Sequence, residues 1–326
     1  SYSVTGVQTC ALPIFQAIEG GSTIEISPPP PQLPPYFKHQ KLMKGLMGPI
    51  FDKYHDADFK PIALLAVKPQ KAPKNPNYLF PKRHSLDFDS IQDITDRLNP
   101  KGLIGWEAPP GKWQIFAFYA GPSGMTPMND AKSDPTRVSL VVDIFNGARI
   151  NSFLDGLLRR FLEECPSELR GTLRALFTDS QEVASECFWT DDFAVEFQKR
   201  RGYDVRPFLP VCFVPNRDNQ FIEVMIQGES PCYDFLDGIG ERIRHDWLKT
   251  LSEIWAERYC GGISRWGTKY GLQHRIQTYG ITLDLLQAYA YADIPETEQL
   301  YAGGLLDFLK LAGSAEIGRA SCRERV

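Results

Sequence analysis

Two carboxylates three residues apart, Asp179 and Glu182, stand in the run Phe177-Thr178-Asp179-Ser180-Gln181-Glu182, directly after an apolar segment. At the end of a strand, an Asp and a Glu at that spacing suit general acid and general base work. Phe188 and Trp189 follow closely and offer the aromatic surface that a sugar-binding cleft needs. A second group of polar side chains lies further on. His274, Gln277 and Tyr279 end one segment, and Asp293, Glu296 and Glu298 crowd into YADIPETE (291–298). The same residues have plainer roles open to them. Asp179 and Ser180 can cap a turn, Glu182 can be a solvated loop carboxylate, and Trp189 can be a packing residue. Glu296 and Glu298, after Pro295, can be carboxylates at a helix N-terminus. Spacing alone leaves both readings standing.

The elements that must position these groups are legible as alternation. TLRALFTDS (172–180) and GLQHRIQTY (271–279) read as strands, and VSLVVDIF (138–145) as one buried on both faces. Helical segments fall between them. INSFLDGLLRRFLEE (150–164) has helical periodicity. TDDFAVEFQKRRG (190–202) has Thr190 as N-cap, acids first, bases last and Gly202 as its stop. Residues 233–261 read as one long amphipathic helix with a break near Gly238–Gly240, and 282–291 as another helix. Strand–helix alternation predicts an α/β fold with parallel βαβ units, whose functional side chains gather at the C-terminal ends of the strands. Before residue 123 the character differs. TIEIS (23–27), IALLAVK (62–68), GLIGWEA (102–108) and KWQIFAFYAG (112–121) are short, aromatic and β-branched, with a turn at APPG (108–111). PPPPQLPP (28–35) is an extended connector.

Composition removes several function classes. The chain has 326 residues, and 36 Lys and Arg against 40 Asp and Glu leave a net charge of −4. That balance speaks against nucleic acid, which is bound by phosphate neutralisation. No run of about 18 apolar residues predicts a membrane span. Five of the cysteines, 165, 187, 212, 232 and 260, are widely spaced, which suits small buried hydrophobes better than a zinc site. The ends, 1–14 and 316–326, look like translated adapter sequence and are set aside as artefact, leaving 15–122 and 123–315 as the two regions of interest.

Four stretches carry a resemblance. They are Trp106-Glu107-Ala108-Pro109-Pro110-Gly111-Lys112-Trp113, LFTDSQE (176–182), WTDDFAVEFQKRRGYDVRPFLP (189–210) and YGITLDLLQAYAYADIPETE (279–298). In content, order and spacing the chain resembles the bacterial α-L-rhamnosidases of glycoside hydrolase family 106. The resemblance implies a partial (β/α)8 barrel over 123–315, preceded by a β-sandwich (jelly-roll-like) domain over 15–122. It implies an inverting, exo-acting enzyme on terminal rhamnose of glycans, calcium dependence, and a periplasmic or extracellular location. Carried over to this sequence, Glu182 matches the general acid. An oxocarbenium-like transition state needs a proton on the leaving oxygen, and inversion needs a second carboxylate to activate water. Glu296 is the candidate for that second carboxylate, with Glu298 beside it. The base can also lie beyond Ala315, in which case the isolated chain is expected to be inactive. Asp179, Trp189, His274, Gln277, Tyr279, Asp293 and Glu298 are the expected substrate-binding residues. Two other readings remain: a retaining barrel glycosidase, or a carbohydrate-binding protein without catalysis.

Overall fold

The computed structural model describes residues 8–10, 14–30, 59–71, 83–122, 141–181, 187–213, 232–298 and 304–323. Its first strands are β1 (Gln8–Cys10), β2 (Ile14–Gly20), β3 (Thr23–Ile26), β4 (Lys60–Val67), β5 (Arg83–Leu86), β6 (Gln92–Asp93), β7 (Ile104–Glu107) and β8 (Gly111–Pro122). Later come β9 (Ala175–Thr178), β10 (Phe188–Trp189), β11 (Cys232–Phe235), β12 (Gln273–Gln277) and β13 (Ile294–Glu296). The helices used below are α1 (Gly147–Glu164), α2 (Phe193–Arg201), α3 (Ile239–Trp255), α4 (Gly261–Thr268), α5 (Leu285–Tyr289) and α6 (Leu306–Arg323).

A six-stranded antiparallel sheet has the order β10-β1-β8-β4-β6, with β2 also on the edge of β8. Its two central strands alternate between two cores. Ala63, Leu65, Val67, Phe116 and Phe118 join a core with Trp189, Phe193 and Trp247. Leu64, Ala66, Ile115, Ala117 and Tyr119 join another with Ile94, Ile104 and Trp106. Both faces are covered, which is why these strands read as nearly unbroken apolar runs. One cover is the β3–β7 ribbon, whose Trp106 meets Trp113 edge to face at 5.1 Å. The other is helical. The sheet therefore shares a core with the region after residue 123, and β10 and β11 reach back to pair with β1 and β5. The described strands show a sheet covered by a ribbon and helices, in a mixed α/β arrangement.

The second sheet is parallel, with order β13-β12-β9. This is the βαβ pattern expected from the sequence, and it is carried by three strands. Several local expectations change. Residues 143–145 turn instead of extending as a strand, because the Asp143 carboxylate accepts the Phe145 N–H at 3.0 Å and the Thr190 hydroxyl at 2.8 Å. Thr190 is thereby spent on Asp143, and Asp192 takes the N-cap position of α2. Gly202 ends that helix as expected, in the left-handed region at φ 86°. Residues 233–235, expected to begin the long helix, belong to β11. Gly238 then opens α3, and a π-helical turn over Ala256–Cys260 joins it to α4. Gln8–Cys10 and the last turns of α6 lie inside the segments set aside as artefact, yet they carry regular structure.

Candidate active site

At the C-terminal edge of the parallel sheet a chain of polar side chains crosses from strand to strand. Arg275 pairs with Glu296 Oε2, and Gln277 Nε2 donates to Glu296 Oε1 at 2.8 Å. The Tyr279 hydroxyl lies 2.6 Å from Gln277 Oε1 and 2.9 Å from Glu298 Oε2. The Glu296 carbonyl accepts the Tyr289 hydroxyl at 2.6 Å, tying β13 to α5. Strand register explains the grouping. Parallel pairing sets Gln277 opposite Glu296, and Arg275 opposite Phe177 on the other side. The Arg275 guanidinium sits 5.2 Å from the Phe177 ring. Burial and the charge and hydrogen bond of Glu298 hold the Tyr279 phenol well above the usual tyrosine range, with Asp179 adding repulsion from the end of β9.

The loop after β9 is held against the loop after β12. The Gln181 N–H donates to the Tyr279 carbonyl at 2.7 Å, and Gln181 Nε2 donates to the Asp179 carbonyl at 2.8 Å. The buried Tyr259 hydroxyl of the π turn stands close enough to the side chains of Gln181 and Thr178 to feel them electrostatically. Gly280, at φ 106°, lets the two loops touch, since a Cβ there would stand 2.7 Å from the Gln181 carbonyl carbon. Glu182 itself lies outside the described residues.

Of the expected site residues, Asp179, Gln277, Tyr279, Glu296 and Glu298 come together. Glu296 is a strand residue and not the helix N-terminal carboxylate that Pro295 suggested. Three others stand apart from the cluster. The Trp189 ring is buried, stacked on Trp247 at 6.1 Å and tilted against Phe193 at 5.2 Å, so it presents no face to a ligand. Asp293 braces β12 by accepting the His274 N–H at 2.8 Å. His274 is wholly buried on the helix side of β12. Its Nε2 meets the Thr178 hydroxyl at 2.8 Å, and its Nδ1 meets the Cys260 carbonyl at 3.2 Å. Burial lowers its pKa to about 4, so the ring is neutral and structural near pH 7. Strand alternation alone separates His274 from Gln277, and the same alternation puts Arg275, which sequence reading passed over, on the Gln277 face. Tyr259 and Gln181 carry no comparable signal in the sequence.

No group of three or more His, Cys, Asp or Glu side chains placed to hold a metal ion occurs among the described residues. No described helix is long and apolar enough to cross a membrane.

A curated relative, named "Putative beta-glucuronidase" and from Formosa agariphila, is 25% identical over 229 residues, which is 69% of this chain and 18% of that protein. The solved rhamnosidase from Novosphingobium sp. PP1Y matches with a TM-score of 0.53 at 25% identity, over 71% of this chain and 21% of that one. The chain thus spans about a fifth of the length of these relatives. The model of glycoside hydrolase family 106, described as alpha-L-rhamnosidase, matches residues 67–306, a stretch that holds both strand-end loops and the whole polar chain. With more than half of its length inside that match, the chain belongs to the alpha-L-rhamnosidase family.

Proposed function

We propose that the protein removes terminal α-L-rhamnose from glycans by an inverting, exo-acting hydrolysis, with Glu182 as general acid. The observation that carries the reading is the convergence of Asp179, Gln277, Glu296 and Glu298 at the C-terminal edge of a parallel sheet, beside the loop that leads into Glu182. In this reading β9, β12 and β13 belong to a (β/α)8 barrel, where that edge is the usual place for catalysis, and the antiparallel sheet belongs to a sandwich-type neighbour. The protonated Glu182 carboxyl gives its proton to the leaving oxygen as the glycosidic bond breaks. A second carboxylate takes a proton from the water that attacks the opposite face of the sugar. Glu296 and Glu298 are its candidates. Glu296 is gripped on both oxygens, by Arg275 and Gln277, which suits a carboxylate that orients sugar hydroxyls. Glu298 is more exposed and accepts from Tyr279, which suits the base. Asp179 is the further ligand for sugar hydroxyls. The calcium dependence implied by the family likeness finds no ligand set among the described residues, and no step is assigned to a metal. A periplasmic or extracellular setting, where glycans are degraded, fits the substrate.

The test is Glu182→Gln in the full-length protein with an aryl α-L-rhamnoside. The expected loss in kcat is about 10²- to 10⁴-fold, the usual worth of a positioned acid, with sugar binding retained. An unchanged rate would remove Glu182 from the mechanism. The anomer released first, read by proton NMR, separates inversion from the retaining alternative, whose carboxyls must lie about 5–5.5 Å apart. A binding protein without catalysis would show no turnover of any substrate. A second substrate reading rests on Arg275, half exposed at the site and able to meet a sugar carboxylate, and on the name of the Formosa relative. Parallel assays on an aryl β-glucuronide decide between the two.

A further inference from the structure

Tyr279 was expected to touch substrate, but its surroundings give it different work. The residue is 1% exposed, and its ring lies edge-on to Phe308 of α6 at 5.5 Å, so no ring face is left for a sugar. Among the described residues its hydroxyl proton faces two acceptors, Gln277 Oε1 at 2.6 Å and Glu298 Oε2 at 2.9 Å. Gln277 cannot turn its amide to offer a donor without breaking the 2.8 Å bond from its Nε2 to Glu296. Glu296 is in turn anchored by Arg275. One proton therefore serves either a fixed neutral amide or a carboxylate, and the charged acceptor makes the stronger bond.

We propose that Tyr279 is a positioning residue for Glu298. Donating to Glu298 holds that carboxylate over the sheet edge. Swinging the hydroxyl back to Gln277 releases Glu298 when a ligand O–H donates to it instead. Arg275, Glu296 and Gln277 are the rigid backstop that keeps the second acceptor in place. The kinetic part of this inference rests on the glycosidase reading above, whereas the hydrogen bond between Tyr279 and Glu298 does not.

A double-mutant cycle in the full-length protein tests it. With an aryl α-L-rhamnoside, Tyr279→Phe is expected to lower kcat about tenfold with KM changed less than about twofold, and to have less than about a twofold effect in the Glu298→Gln background. Equal penalties in the two backgrounds, or a Tyr279→Phe variant as fast as the parent, overturn the proposal. A second readout needs no turnover. In protein labelled with 13C at tyrosine Cζ, the signal that Tyr279→Phe deletes is expected to move on Glu298→Gln, and a signal that stays put overturns the proposal. If that signal moves while neither aryl glycoside is cleaved, the rhamnosidase reading fails and the positioning contact stands.

Discussion

The antiparallel and the parallel sheet use their side chains in opposite ways. In the first, residues 63–67 of β4 and 115–118 of β8 are all apolar and have no exposed surface, because a ribbon covers one face and helices cover the other. In the second, His274 and Ile276 of β12 are buried, while Arg275 and Phe177 stay exposed on the opposite face and lead into the polar chain. The larger sheet is a foundation whose stability comes from area removed from water on both sides. The smaller one buries one face and leaves its other face and far edge to charged and amide groups. A chain built this way can anchor a polar site without exposing its main core.

The contrast is most easily broken at its apolar end. Phe116, fully buried and 4.9 Å edge-on from Tyr233, should cost about 3–5 kcal/mol as Phe116→Ala. Denaturant unfolding measures this, and a loss under about 1 kcal/mol would remove the distinction between foundation and site. Two buried titratable groups, Asp143 and His274, sharpen the comparison through pH. Burial raises Asp143 from 3.8 to about 6, so the fold favours its protonated form and stability is lost as pH rises across that interval. Burial lowers His274 from 6.5 to about 4, so stability is gained as pH rises through that window. Each slope integrates to about 3 kcal/mol, and in the parent chain they largely cancel. Asp143→Asn should expose a stability that climbs from pH 4 to 6.5, and His274→Gln one that falls. Two variants with the same slope would show that neither group titrates as its burial dictates. The smallest expected effect is at the joint between loops. Gly280→Ala should cost about 1–3 kcal/mol for its positive φ, and should lower kcat/KM by moving Gln181 off the Tyr279 carbonyl. Thermal melts read beside kinetics check both, and an unaltered kcat/KM would unlink the two loops.

Much of the fold was legible because it is periodic. β4, β8, β9, β12, α1 and the stop at Gly202 fall where alternation, helical spacing and glycine placed them. The departures have local causes. Asp143 ended an apolar run by capping its own backbone, and β11 hid inside a helical pattern because CYDF has no exposed face to mark it as half buried. The site was legible by residue type and only partly by place. Carboxylates after strand ends pointed to the right edge, whereas Trp189 and His274 were drawn in by chemistry that their burial denies them. What sequence could not supply was tertiary. Nothing in the residues near 259 announces that a tyrosine from a distant helix stands under Gln181, and nothing near 281 shows how closely the loop at 181 approaches.

The π turn at Ala256–Cys260 carries one residue more than an α turn would hold. It therefore acts as a phase adjuster inside an otherwise continuous rod. Loss of a single codon there would straighten the rod and rotate everything downstream by about 100°. Ser264 and Trp266 would swing away from the Tyr291 carbonyl and the Asp155 carboxylate that they now meet, while the Arg201–Glu253 pair upstream would hardly notice.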